Sequence, residues 1–153
     1  MQPTDAFAAI STSEKIASSL YKWITGNRGF KRTVVLELKE NIELIRLYIK
    51  SGADPKEIIP ELSDTAFRSA LVQGFNFNAL KRSKISSNST LGLPQLNKYH
   101  GWETQEVFEN IYQKINTLKK AAKLKKTKKP IRLGVRLQNL FKMMVMLAIH
   151  IGN

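Results

Sequence analysis

The sequence predicts an all-α fold: a single up-and-down bundle of about five helices, one extra short helix, and a long loop near residues 83–101. Three observations lead there. Apolar residues recur at helical spacing through most of the chain. Helix start and stop signals punctuate these periodic stretches. No apolar–polar alternation bounded by hairpin signals occurs.

The first helix is expected to open at "STSE", where Ser11 and Glu14 can form a capping box. Ile16, Leu20, Trp23 and Ile24 then share a face, and "TGNRG" ends the helix. Residues 1–10 precede that cap and are expected to be disordered. A second helix, from about Lys31 to Ser51, carries Leu38, Ile42, Ile45 and Ile49 as its main stripe. Val34, Val35, Leu44, Leu47 and Tyr48 widen that stripe enough for more than one neighbour. Glu37, Glu40 and Glu43 fall on the other side and read as a solvated face paired locally with Lys39, Arg46 or Lys50.

"SGADPKE" reads as a helix corner, with Gly52 as C-cap, Asp54 as N-cap, Pro55 as first helical residue and Glu57 as box partner. No internal repeat accompanies it. A short helix covers residues 55–62. Ser63 or Asp64 caps a longer one reaching about Lys81, with Phe67, Leu71 and Phe75 in register and Gly74 permitting a close helix contact. Serine, asparagine, glycine and proline then cluster without period, which predicts the long loop. The next helix begins near Trp102, and its stripe runs from Val107 through Phe108, Ile111, Tyr112, Ile115 and Leu118 to Ala122. Pro130 closes the lysine-rich end, and a last helix spans about Ile131 to Ile151. Its segment "MMVMLAI" is apolar all round, so it is either central to the core or covered by a partner.

A chain of 153 residues, 42% hydrophobic, suits one globular domain over residues 1–153. The absence of cysteine excludes disulfides, thiolate metal sites and cysteine nucleophiles. The N-terminus lacks a basic segment followed by an apolar run, and Met143–Ile149 is too short to span a bilayer. A cytoplasmic protein without a membrane span is the expectation.

Signals for catalysis are missing. His100 and His150 have no ligand-spaced partners, and no Glu-x-x-His pair supports a carboxylate metal site. Neither a phosphate-cradling glycine motif nor a Gly-x-Ser-x-Gly elbow occurs. His150 is expected to pack. His100, near Lys98, Tyr99 and Glu103, is better placed for chemistry, but no base or nucleophile is fixed beside it. No catalytic residue, metal or cofactor is expected.

The charge pattern is more informative. The chain carries net +13, with net +1 over residues 1–76 and net +12 over residues 77–153. Lys119, Lys120, Lys123, Lys125, Lys126, Lys128, Lys129 and Arg132 follow one another without an intervening acid. Lysines favour a helix C-terminus, but that effect fades within a turn, so it does not account for a run extending to Lys129. Lys81, Arg82 and Lys84 form a second cluster where the long loop begins. Basic residues also interleave with aromatics at Arg28–Arg32 around Phe30, after Phe75 and Phe77, and at Lys98 near Tyr99 and Trp102. The expectation is a non-enzymatic bundle that binds a polyanion, nucleic acid above all, through these two clusters. The alternative is a protein–protein adaptor or regulatory subunit that uses the apolar last helix and the lysines toward an acidic partner, or pairs copies of the chain through that helix.

Overall fold

The computed structural model describes residues 3–152, with side chains from Ala8 onward. Six α-helices occur among them: α1 (Pro3–Thr25), α2 (Gly29–Ser51), α3 (Pro55–Ile58), α4 (Thr65–Val72), α5 (Thr104–Ala122) and α6 (Leu133–Gly152). No strand occurs among the described residues. The predicted all-α bundle is therefore what forms.

α1 and α2 pack together: Lys50, late in α2, pairs with Glu14 at the middle of α1, and the Arg46 guanidinium donates to Ser13 Oγ. α5 and α6 are antiparallel, since Thr104 at the start of α5 meets His150 near the end of α6. α6 is the central element, packing against α1, α2 and α5. Every residue from Leu140 to Ile151 is buried. "MMVMLAI" is apolar all round because it has protein on every side. Of the two readings, the core one is what the fold shows.

Several expectations are corrected. α1 does not open at Ser11; the helix runs from Pro3, with Ala9 and Ile10 already in the core. No glycine or proline interrupts residues 4–25, so nothing stops the helix from extending back past Ser11. Thr12 and Ser13 turn their hydroxyls onto the preceding turn, bonding Ala8 O and Ile10 O, instead of capping. Met1 and Gln2 lie outside the described residues.

At the corner the expected C-cap and N-cap form: Gly52 is left-handed, its N–H bonds Tyr48 O, and Asp54 caps α3 by accepting from Lys56 N–H. A 3-10 turn over Ile59–Glu61 completes the short helix.

α4 is shorter than predicted, ending at Val72 instead of near Lys81. Gly74 is the reason. It adopts φ +74, Phe75 N–H reaches Ala70 O and Gly74 N–H reaches Leu71 O, which is a Schellman ending. Gly74 therefore ends the helix and does not seat a neighbouring one. Leu71, beyond the bend of the core, is 46% exposed. A Cβ at Gly74 would meet no atom within 4 Å, so only backbone strain opposes a side chain there. Gly74→Ala is expected to cost about 1 kcal/mol. Urea unfolding should show the midpoint fall with the slope unchanged; no change would mean that the turn relaxes freely.

Glu37 is the largest departure. It is 5% exposed and does not belong to a solvated face. Its carboxylate accepts from Ser63 Oγ at 2.8 Å, Ala66 N at 2.7 Å and Phe67 N at 3.1 Å. The last two are N–H groups of the first turn of α4, where a negative charge also meets the favourable end of the helix dipole. The Asp64 side chain makes no cap, pairing with Arg68 instead, so α2 supplies the cap that Ser63 or Asp64 was expected to give. Asn41, one turn further along α2, adds a two-way bridge to the Ser63 backbone. Of the other two glutamates, Glu43 pairs with Lys39 as expected and Glu40 is exposed.

Residues 83–101 do connect α4 to α5 without a long helix, but as a packed layer. Ile85 N–H bonds Trp102 O and Gly101 N–H bonds Ile85 O, which ties the two ends of the segment together. Ile85, Leu93, Leu96 and Tyr99 are buried, with 3-10 turns at Ser87–Ser89 and Pro94–Tyr99. The buried apolar side chains hold this long connection against the core.

Candidate anion-binding surface

α5 opens with a capping box between Glu103 and Glu106 and runs to Ala122. Its apolar stripe is buried through Leu118, so the helix axis is fixed up to the lysine run. Lys119 and Lys120 occupy its last turn, and Lys123 caps it. Lys125, Lys126, Lys128 and Lys129 follow in an irregular connection where every residue from Lys123 to Pro130 is exposed. Half-buried Ala121 and Ala122 anchor one end of that connection, and half-buried Ile131 anchors the other. Thr127 Oγ1 donates to Lys129 O at 2.6 Å, folding the middle back on itself. Arg132 sits just ahead of α6, and its carbonyl accepts from Arg136 N–H.

None of these eight cations forms an ion pair among the described residues. The only acids after residue 76 are Glu103, Glu106 and Glu109, all near the start of α5. Glu109 precedes Lys119, the nearest of the eight, by ten helical positions, about 15 Å, or more than one screening length at 0.1 M salt.

The second predicted cluster lies elsewhere. Thr104 Oγ1 donates to Lys81 O at 2.6 Å, so Lys81, and with it Arg82 and Lys84, sits at the start of α5. The lysine run sits at its other end. α5 has 19 residues, so about 28 Å of helix separates the two clusters. Arg82 and Lys84 are exposed and Lys81 is half-buried. The fold thus places the clusters at opposite ends of the α5–α6 pair instead of in one patch.

The aromatics do not form a stacking platform. Phe77 is fully buried, and Phe30, Phe75, Phe77, Phe67, Phe108 and Tyr112 make a chain of ring contacts 4.2–6.4 Å apart inside the bundle. Tyr99 is buried against half-buried Trp102, with Lys98 Nζ over its ring at 5.2 Å. Their interleaving with lysine in the sequence reflects core positions alternating with surface ones. The Tyr112 hydroxyl is buried; that burial first, and the nearby charge of Glu37 second, hold the phenol well above its ordinary range.

Sequence reasoning missed a third cationic feature. A cleft of about 510 Å³ runs between the Pro94–Tyr99 turn, α5 and α6. Lys98, Lys114, Arg136 and Lys142 line it, and no acid does. Along α5 and α6 the cleft lies between the two predicted clusters. Its signal in the sequence is a polar stripe at helical spacing, Asn110, Gln113, Lys114 and Thr117, facing Arg136, Asn139 and Lys142 from the next helix.

The histidines separate as expected in position. His100 is exposed. His150 is 4% exposed and lies 2.9 Å from Thr104 Oγ1 through Nε2. Burial, and then the charge of Lys81, lower the His150 pKa below 6.5. The unfolded chain therefore binds this proton at a higher pH than the folded one. The stabilisation is complete above 6.5 and is lost as pH falls through that value toward the folded pKa. The urea midpoint is expected to drop between pH 7.5 and 5.5, and His150→Asn should flatten that drop; an unaltered slope would mean that His150 is not the titrating group.

Among the described residues, no helix is long and apolar enough to cross a membrane, and no three His, Asp or Glu side chains gather as metal ligands would. No known protein family, curated protein or solved structure matches the chain, so its function has to be argued from its own residues.

Proposed function

We propose that this protein is a non-enzymatic helical bundle that binds nucleic acid through its phosphates, with the Lys119–Arg132 corner as the principal contact. One observation carries the reading: eight cations on a corner anchored at both ends, with no acid paired to any of them among the described residues. Such a cluster stores self-repulsion that a polyanion relieves. Without a stacking platform or a polar recognition helix in a groove-sized projection, the binding is phosphate-dominated and only weakly sequence-selective. The Lys81–Lys84 cluster serves as a distant second contact. Phosphates recur every 3.4 Å along each strand, so roughly eight base pairs are needed to bridge the 28 Å or so between clusters.

The adaptor reading has less to stand on, because the apolar face of α6 that motivated it is occupied within the bundle. A gel shift of the full chain with labelled duplexes of different lengths tests the proposal. Binding at 50 mM salt that strengthens markedly once the duplex exceeds about eight base pairs supports it. An unshifted probe of every length would sink it.

A further inference from the structure

The outer side of the α2–α4 pair carries a groove of about 590 Å³ that no other described element lines. Phe30, Thr33 and Leu36 of α2 form one wall, and Thr65, Ala66 and Ser69 of α4 form the other. We propose that it is the docking face for a second copy of this chain, with the two α2 helices antiparallel and crossing at Leu36 in a reversible two-fold dimer.

Apolar surface is the first observation. Leu36 is 38% exposed, and Val72, one turn beyond Ser69 on the same side of α4, is 83% exposed. Half-buried Phe30 and Phe75 close that end of the groove, their rings 5.8 Å apart. Single apolar residues on a surface are ordinary, but these gather along one groove. Glu37, which also lines it, is spent on the cap of α4. Thr33, Thr65 and Ser69 are short and exposed, which leaves room for a facing helix.

The charges identify the occupant. Arg32 lies four positions before Leu36 and Glu40 four after it, so the three share the exposed face of α2. Neither Arg32 nor Glu40 forms an ion pair among the described residues. Eight helical positions, about 12 Å, keep them from pairing with each other. Arg28 and Lys31 add charge of the same sign at the Arg32 end. A basic helix laid in the groove would meet Glu40 well and Arg32 badly, and an acidic helix the reverse. α2 of a second copy, run antiparallel, satisfies both ends: Arg32 of each copy faces Glu40 of the other, and Leu36 meets Leu36 across the axis. A face whose two ends carry opposite charges around an apolar centre is self-complementary under a two-fold rotation, the condition for a closed dimer. α6 offers no such face, being buried within the bundle.

The dimer does not depend on the nucleic-acid reading, and sedimentation velocity without nucleic acid tests it. The full chain would be followed from about 5 to about 500 μM, the range in which a small, partly polar interface becomes populated. About 0.15 M salt limits the reach of repulsion between two copies of net +13 to roughly 8 Å. Wild type is expected to pass from monomer to dimer across that range. Leu36→Arg should weaken the dimer by roughly tenfold or more, because it sets two like charges on the axis. Arg32→Glu should weaken it about tenfold, because two exposed ion pairs become like-charge contacts. Combining Arg32→Glu with Glu40→Arg exchanges the two ends and should restore association to within about threefold of wild type. All three positions are exposed, so the variants should fold, and circular dichroism would check it. Three results overturn the proposal: a wild-type monomer at every concentration, a dimer that neither Leu36→Arg nor Arg32→Glu weakens, or a double variant no stronger than Arg32→Glu alone. The first would leave the groove to a different partner, the second would place the dimer on another face, and the third would exclude the antiparallel register.

Discussion

Glu37→Ala is expected to remove about 3 kcal/mol of stability, a large share of what holds a domain of this size together. The carboxylate is buried, and three donors converge on it: Ser63 Oγ, Ala66 N–H and Phe67 N–H. Each donor left unsatisfied costs about 1–3 kcal/mol where water cannot replace the partner. Ser63 and Ala66 are only half-buried, so water recovers part of their loss, whereas Phe67 is buried and recovers little. α4 would also lose its only cap from outside its own segment, since Asp64 offers no side-chain cap. Glu37→Gln preserves the shape and one acceptor oxygen but turns an N–H₂ toward a donor, and about 1–2 kcal/mol should be lost. Asn41 holds the neighbouring Ser63 backbone, so its replacement together with Glu37 should be non-additive. Urea unfolding reads all three. A Glu37→Ala protein within about 0.5 kcal/mol of wild type would mean that this carboxylate is no more than a surface charge.

Why Glu37 was misread shows where the sequence stops informing. Glu37, Glu40 and Glu43 share one helical face, and that face reads as solvated. Nothing local reveals that the start of α4 packs across Glu37 while Glu40 stays in water. The partner lies 26 to 30 residues away, and only tertiary packing brings it close. The same limit hid the cleft. Lys114, Arg136 and Lys142 are unremarkable singly, and their convergence depends on how α5 and α6 face each other. Lys142 was further disguised by its position beside an apolar run. By contrast, features with a local cause were legible. Gly52 and Asp54 punctuate their corner through backbone and side-chain groups within a few residues. The α5 stripe and the all-round apolar α6 announced their burial through spacing alone. The limits of α1 and α4 were less legible. Ser11 carried a plausible cap that the continuing helix did not need, and Gly74 carried a stop that was read as a contact. The lysine corner was visible as composition, but its distance from Lys81–Lys84 depended on the antiparallel pairing of α5 and α6.

The other large expected effect concerns salt. Binding that neutralises six to eight phosphates releases a comparable number of counterions, so affinity should fall by about 10³–10⁴ between 50 and 200 mM salt. An effect of that size belongs to the phosphate backbone. A protein that used its aromatics or a base-reading helix would lose less, and the burial of Phe77, Phe108 and Tyr99 argues that it has few such contacts to offer. The corner also has to act as a unit. Its lysines share an anchored segment, so each replacement should weaken binding by a similar factor on any sequence and leave the residual preference unchanged.

The central claim is that the Lys119–Arg132 corner supplies the phosphate contacts, and the most direct test is a paired salt titration. Fluorescence anisotropy with one labelled duplex of roughly twenty base pairs, long enough to reach both clusters, would follow wild type and the variant with Lys125, Lys126, Lys128 and Lys129 changed to Gln. The variant changes only exposed residues outside the core, so its fold should be retained. The account predicts a steep logarithmic salt slope for wild type, shallower by about 3–4 in the variant, at nearly one unit per lysine removed. A variant that binds with the wild-type slope, or a wild-type affinity indifferent to salt, would contradict it.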